Sequence, residues 1–211
     1  MIFNKHEEYE GKHAFLGASQ FHWINWSYDT LVERFNGQYS QLIGTTVHAL
    51  AQDCIKGHIK LTEGRAKGLL EMYLFKAYIP KSAYDIDALI SNLIPFVNDA
   101  IGFRMSSEVV LLYDKLWSFG TADAISFNEK DKTLRIHDLK TGSTPAHMEQ
   151  LMIYSALFYL EYNKKPDQCT TELRIYQNGE VATLVPDPMD IEKFMNIIVD
   201  TVNHIHILEG R

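Results

Sequence analysis

Apolar residues recur along this chain with two periods, and the switches between them divide it into segments. Leu16-Gly17-Ala18-Ser19 leads into Gln20–Phe35, a predicted helix that Ser19 caps and that buries Trp23 and Trp26. Gly44 to His48 opens the next, where Val47, Leu50, Ala51, Cys54 and Ile55 keep helical spacing and form one buried stripe. Residues 66–80 and 85–103 read as two further helices; Pro80 ends the first, and Pro95 is expected to kink or break the second. From Ser106 to Trp117 the period changes. Val109 to Tyr113 is an unbroken apolar run, the pattern of a strand covered on both faces. Phe119–Phe127 and Thr133–Lys140 flank the polar turn N-E-K-D-K and predict an antiparallel hairpin. Thr141 to Pro145 turns the chain into a helix over Ala146–Tyr162. Glu172–Gln177 and Glu180–Val185 enclose Asn178-Gly179, the strongest short hairpin signal. A closing helix capped by Asp190 runs to about Leu208. No repeat, low-complexity tract or linker interrupts the order, so residues 1–211 are expected to form a single domain of the α/β class.

Composition narrows this picture. The 211 residues are 46% hydrophobic and 22% charged, as in a globular chain long enough to bury a core. No apolar run reaches the length of a bilayer span, and the first ten residues lack the order of a signal peptide. Cys54 and Cys169 are the only cysteines, which points to a reduced, intracellular setting without a disulfide framework. A net charge of −7 argues against a protein that coats nucleic acid electrostatically, though not against an enzyme that grips a few phosphates. Lys56, Lys60, Arg65 and Lys67 against Glu63 form one local basic patch, which a solvated loop explains at least as well. His204 and His206 fall on different sides of the last helix and make no metal pair.

The candidate chemistry lies in the first hairpin. If Phe127 pairs with Leu134, then Ile125 meets Ile136, Asp123 meets Asp138 and Thr121 meets Lys140, all from one face. Opposed aspartates repel unless a cation lies between them, and hard divalent ions are held by such pairs. Lys140 would stand beside that ion, within reach of a phosphate oxygen. The implied chemistry is metal-assisted phosphodiester hydrolysis; a surface hairpin with solvated charges fits the same residues. Glu108 shares a face with Val110 and Leu112 in strand alternation, which carries it toward the core and makes it a candidate third acid. An exposed carboxylate at a strand end is the other reading. Gln150 and Tyr154 lie four apart on one helix face, one turn after His147.

Four fragments occur in order: G-T-T-V-H at 44–48, G-T-A-D at 120–123, H-D-L-K-T-G at 137–142 and E-Q-L-M-I-Y-S at 149–155. Together they resemble the RecB-like branch of the PD-(D/E)xK nuclease superfamily, over Ser19 to about Tyr162. The resemblance implies a restriction-endonuclease-like core, a mixed central sheet flanked by helices. It implies that Asp123, Asp138, His48 and the Leu139 carbonyl hold Mg²⁺ or Mn²⁺, with Glu108 as a further acid. It also implies that Lys140 orients or activates the attacking water, and that Gln150 and Tyr154 brace the cluster and contact a DNA phosphate. Thr121-Ala122 stands where other branches carry proline, as is normal here. The four cysteines of relatives with an iron–sulfur cluster are absent, so no such cluster is expected. Without helicase motifs, the implied protein is a stand-alone, phage-type exonuclease acting on linear DNA ends in recombination, repair or replication. A structure- or sequence-specific endonuclease, and a binding module that does not cleave, are the alternatives. The implied setting is the bacterial or phage-infected host cytoplasm, with a homo-oligomer or a recombination or replication protein as partner.

Overall fold

The computed structural model describes residues 14–142 and 144–210. The N-terminal stretch to residue 13, which the sequence left without an element, and Ser143 of the expected turn lie outside the described residues. The order of elements is α1 (Tyr28–Gly37), α2 (Ser40–Lys56), α3 (Glu63–Lys76), α4 (Ile86–Gly102), β1 (Ser106–Asp114), β2 (Ser118–Asn128), β3 (Thr133–Leu139), α5 (Glu149–Glu161), β4 (Thr170–Gln177), β5 (Glu180–Leu184) and α6 (Pro188–Leu208). The strands form one five-stranded sheet in sequential order. β3 and β4 run parallel and every other neighbouring pair is antiparallel. Helix α5 lies between β3 and β4 in the chain and supplies the crossover that a parallel pair needs. The expected α/β architecture, a mixed sheet flanked by helices, is therefore present. No helix among the described residues is long and apolar enough to cross a membrane.

Each face of the sheet buries its own apolar cluster. The stripe of α2 (Val47, Leu50, Ala51, Cys54, Ile55) meets α3, α4 and the sheet residues Ala124, Leu139 and Tyr176. On the other face Leu151, Ala156 and Tyr159 of α5 cover Leu134, Ile136, Leu173 and Ile175, joined by Ile191 of α6. The alternation along β3 and β4 produces this division: Leu134 and Ile136 face α5, and His137 and Leu139 face the α4 side. His137 is fully buried against Phe103 and Tyr176. Burial, with the charges of Arg174 and Arg135, depresses its pKa to about 3, so it is a neutral core residue. The two cysteines are free.

Several boundaries differ from expectation. Gln20–Phe35 is not one helix: a 3₁₀ stretch over Ala18–Asn25 is followed by α1, whose cap is Ser27, accepting from Thr30 N–H at 3.2 Å. Trp23 and Trp26 are only half-buried, because neither segment contributes a buried residue. Helix α2 begins at Ser40, which places His48 in its middle and not in its first turn. Helix α4 continues through Pro95. Asp187, not Asp190, caps α6, with Pro188 in the first turn where its missing N–H costs nothing. The Asn178-Gly179 turn is as read, both residues taking positive φ (54° and 75°), which the Asn-Gly pair tolerates. Strand β1 lies at the sheet edge, with Val110 56% exposed, so its apolar run is not covered on both faces.

Candidate functional site

The hairpin pairs as its hydrophobic residues dictate, but only over part of its length. Phe127 opposes Leu134 and Ile125 opposes Ile136, and the ladder ends at Ala124 opposite His137. Beyond that point β2 and β3 part. Asp123 does not continue as a backbone rung; its Oδ2 accepts the Leu139 N–H at 2.8 Å. Lys140 leaves the hairpin too, its N–H donating to the Tyr176 carbonyl of β4 at 3.0 Å. The expected single face carrying Thr121, Asp123, Asp138 and Lys140 together is thus not formed. Its cause is local. Glu108 adopts φ +53° in β1, a conformation glutamate seldom takes, and neither it nor Asp123 appears in the β1–β2 register. The alternation slips there, so that Ala122 and Ile125, three apart, both pack beneath α5.

The slip turns Asp123 toward α2. His48 Nδ1 lies 3.4 Å from Asp123 Oδ1 and 3.8 Å from Glu108 Oε1. One ligand atom from each of His48, Glu108 and Asp123 lies within 4.8 Å of the other two. These donors line a cleft of about 560 Å³ together with Gly44, Thr45, Gln52 and Thr121. Burial alone would lower the His48 pKa, but the hydrogen bond to Asp123 and the charges of Asp123, Glu108 and Asp138 raise it above 6.5. Burial and the Asp123 charge push Glu108 up, against the pull of His48 and Lys56.

Asp138 is held from the α5 side. It is 3% exposed, and burial with the Asp123 charge raises its pKa although Lys140 opposes the shift. Lys140 Nζ sits 2.9 Å from Asp138 Oδ2 and donates to Oδ1 at 3.2 Å. Asp138 Oδ2 is buried and, although the ammonium is close, accepts no well-aligned hydrogen bond. Lys140 also donates to Gln150 Oε1 at 2.9 Å, and Gln150 Nε2 donates to the Tyr154 hydroxyl at 3.1 Å. Burial raises the Tyr154 pKa, so the phenol keeps its proton. Gly120 makes room for this chain of contacts: a Cβ there would stand 2.8 Å from Tyr154 Cε1.

The structure therefore brings His48, Glu108 and Asp123 together, and separately joins Asp138, Lys140, Gln150 and Tyr154. Asp123 links the sets through the Leu139 N–H. His147 remains outside, exposed and 3.9 Å from Glu149.

Two positioning residues escaped the sequence reading. Asn92 of α4, 6% exposed, donates from Nδ2 to the Lys140 carbonyl at 3.1 Å, and its Oδ1 accepts the Gly179 N–H at 2.7 Å. Gln177, at the end of β4, donates to the carbonyls of Gly142 (2.6 Å) and Thr144 (2.8 Å) and accepts the Ala146 N–H (3.0 Å). Together they fix the backbone on either side of Lys140 and α5. A lone helix Asn and a strand-end Gln carry no local signal of such a role. Asn92→Ala leaves the Lys140 carbonyl and the Gly179 N–H without their side-chain partner and is expected to lower stability by about 1–3 kcal/mol. Denaturant unfolding beside wild type checks it.

No protein-family model matches the chain, and neither does any curated protein. Among solved structures, one described as "Crystal structure of SSO0001" aligns over 72% of this chain and 84% of its own, with 13% identity and a TM-score of 0.32. A likeness that slight carries no argument about family or function.

Proposed function

We propose that the chain is a Mg²⁺- or Mn²⁺-dependent nuclease that hydrolyses phosphodiester bonds in DNA, acting from the ends of linear molecules, on a fold of the PD-(D/E)xK type. The observation that carries the reading is the convergence of His48, Glu108 and Asp123 from three different elements, beside a buried Asp138 paired with a half-buried Lys140. One imidazole and two carboxylates suit a divalent ion, and the poorly satisfied Asp138 oxygen is a further donor at hand. The imidazole favours Mn²⁺ over Mg²⁺ in affinity. His48, Glu108, Asp123 and Asp138 would hold the ion, with the Leu139 carbonyl as the remaining donor that the resemblance implies. When bound, such an ion polarises the phosphate and lowers the pKa of water.

The chain's own residues do the rest. Glu108, held in its left-handed conformation, keeps its carboxylate facing His48 across the cleft. Lys140 places a positive charge beside the acids, where the phosphate gains negative charge in the transition state. Gln150 and Tyr154 restrict where that ammonium can stand, and the protonated phenol can donate to a phosphate oxygen. A time course on end-labelled linear DNA and a covalently closed circle, with Mg²⁺ or with EDTA, tests the reading. Loss of the linear DNA alone, abolished by EDTA, is expected. Cutting of the circle would make the enzyme an endonuclease, and intact DNA throughout would overturn the proposal.

His48, Glu108 and Asp138 each hold a proton more tightly than in an unfolded chain. The stability these protons confer on the ion-free protein is present at low pH and is lost as pH rises through the raised values. A bound cation must displace the same protons, so its affinity grows over the same range. The rise in Tm on adding Mn²⁺ is therefore expected to be larger at pH 8 than at pH 6. Thermal unfolding at both values checks this, and an equal gain would contradict the ligand set.

A further inference from the structure

On the α2 side, the β1–β2 ribbon presents side chains that the core does not use. Val110 pairs with Thr121 and Leu112 with Phe119, so these four share one face. Thr121 identifies the face, because it lines the same cleft as His48, Glu108 and Asp123. The alternate residues Val109, Leu111 and Tyr113 pack beneath α5 instead. Phe119 is 60% exposed and Val110 56% exposed, although both lie in regular strand. Phe119 lies four residue steps from Asp123, roughly 13 Å at the rise of an antiparallel strand.

The cleft and its rim differ in character. At about 560 Å³ the cleft has the size of a small-ligand pocket. Its α2 wall carries the uncharged side chains of Gln52 and of Thr45, whose hydroxyl donates to the Gln41 carbonyl at 3.1 Å. Glu108 and Asp123 line it, and the whole chain carries −7, so long-range attraction supplies little affinity for a polyanion. An exposed aromatic ring further along the same ribbon face supplies affinity of another kind. Every base has a π-face, and stacking on an aromatic side chain needs neither positive charge nor a particular sequence.

We infer that Phe119, with Val110 beside it, is a stacking platform for an unpaired base of the strand whose backbone enters the α2–ribbon cleft. The inference rests on the nuclease reading and adds a substrate class to it: strands that are single, or frayed, next to the bond being cleaved. Its position continues the candidate site along the same face of the same ribbon. A base stacked inside a duplex has its π-faces taken up by its neighbours, whereas an unpaired base has one free for the ring. Phe119 acts in binding and not in the chemical step.

The test uses single-stranded oligonucleotides with an abasic residue stepped through successive positions, cleaved by wild type, Phe119→Ala, Phe119→Leu and Phe119→Tyr. Phe119→Ala is expected to raise KM about tenfold with kcat nearly unchanged. Phe119→Tyr restores the wild-type KM and Phe119→Leu does not. In wild type the abasic residue costs a similar factor at one position, and in Phe119→Ala it costs nothing more there. A wild-type KM in Phe119→Ala, rescue by Leu as complete as by Tyr, or an abasic penalty unaltered in Phe119→Ala would each overturn the platform. If wild type cleaves nothing in Mg²⁺ or Mn²⁺, the nuclease reading fails separately. Fluorescence anisotropy of the same oligonucleotides on the same variants then decides the platform by Kd, and absence of binding overturns both.

Discussion

Replacing Lys140 by alanine is expected to lower the rate of DNA hydrolysis by about 10²–10³-fold while leaving divalent-ion binding in place. The ammonium lies 2.9 Å from both Asp138 Oδ2 and Gln150 Oε1, so its position is set from two sides. Its backbone is pinned as well, by the bond from its N–H to Tyr176 and the bond to its carbonyl from Asn92. A charge held this firmly reorganises little as the reaction proceeds, which is why its loss falls on kcat. Lys140→Arg is not expected to rescue, because a planar fork cannot occupy the space of a compact ammonium between Asp138 and Gln150. Single-turnover hydrolysis, run beside a Mn²⁺ titration, separates this from loss of the ion. A variant that loses Mn²⁺ binding and activity together would show that Lys140 shapes the cation site and not the reaction.

Asp123 is expected to be the least replaceable side chain in the molecule, because it serves two structures at once. Its Oδ1 faces His48 and its Oδ2 accepts the Leu139 N–H where β2 and β3 separate. Asp123→Asn keeps an oxygen for Leu139 and removes the charge, so the fold stands while ion binding weakens and activity falls by about 10³-fold, ~4 kcal/mol of barrier. Asp123→Ala removes the acceptor as well. Leaving the Leu139 N–H unpaired costs about 1–3 kcal/mol of stability, offset in part by relief of repulsion from Glu108 and Asp138. Denaturation of the two variants side by side checks the difference. Equal stability for both would mean that Asp123 is only a ligand.

The fate of particular residues shows what local pattern can reveal. The period of two over Leu134 and Ile136, and of 3.6 over Val47 to Ile55, depends on burying apolar area, and those residues are buried as the periods require. The Asn178-Gly179 turn was legible for the same reason, a local rule with few alternatives. The β2–β3 register was legible as far as hydrophobic pairs enforce it, and it ended where polar side chains took over. Nothing local announces that Glu108 takes a positive φ, or that Asp123 satisfies a backbone N–H in place of the next rung. Those features depend on α2 and α5 closing on the sheet from opposite faces. The same holds for Asn92, 48 residues from the carbonyl that it binds. Edge or centre was equally hidden: the apolar run of β1 looked central, and strand order made it an edge.

Asp123 and Asp138 are therefore not rungs on one ribbon face, but meet where β2 and β3 separate. His48, Glu108 and Asp123 gather on the α2 side of the gap. Asp138 reaches it from the α5 side, held by Lys140. The most direct measurement is the initial rate of hydrolysis of end-labelled linear DNA in Mn²⁺ by wild type and by Asp138→Ala, each saturated with the ion. Hydrolysis by wild type that falls to background in Asp138→Ala is the predicted result; an undiminished rate in Asp138→Ala, or no hydrolysis by either, would contradict it.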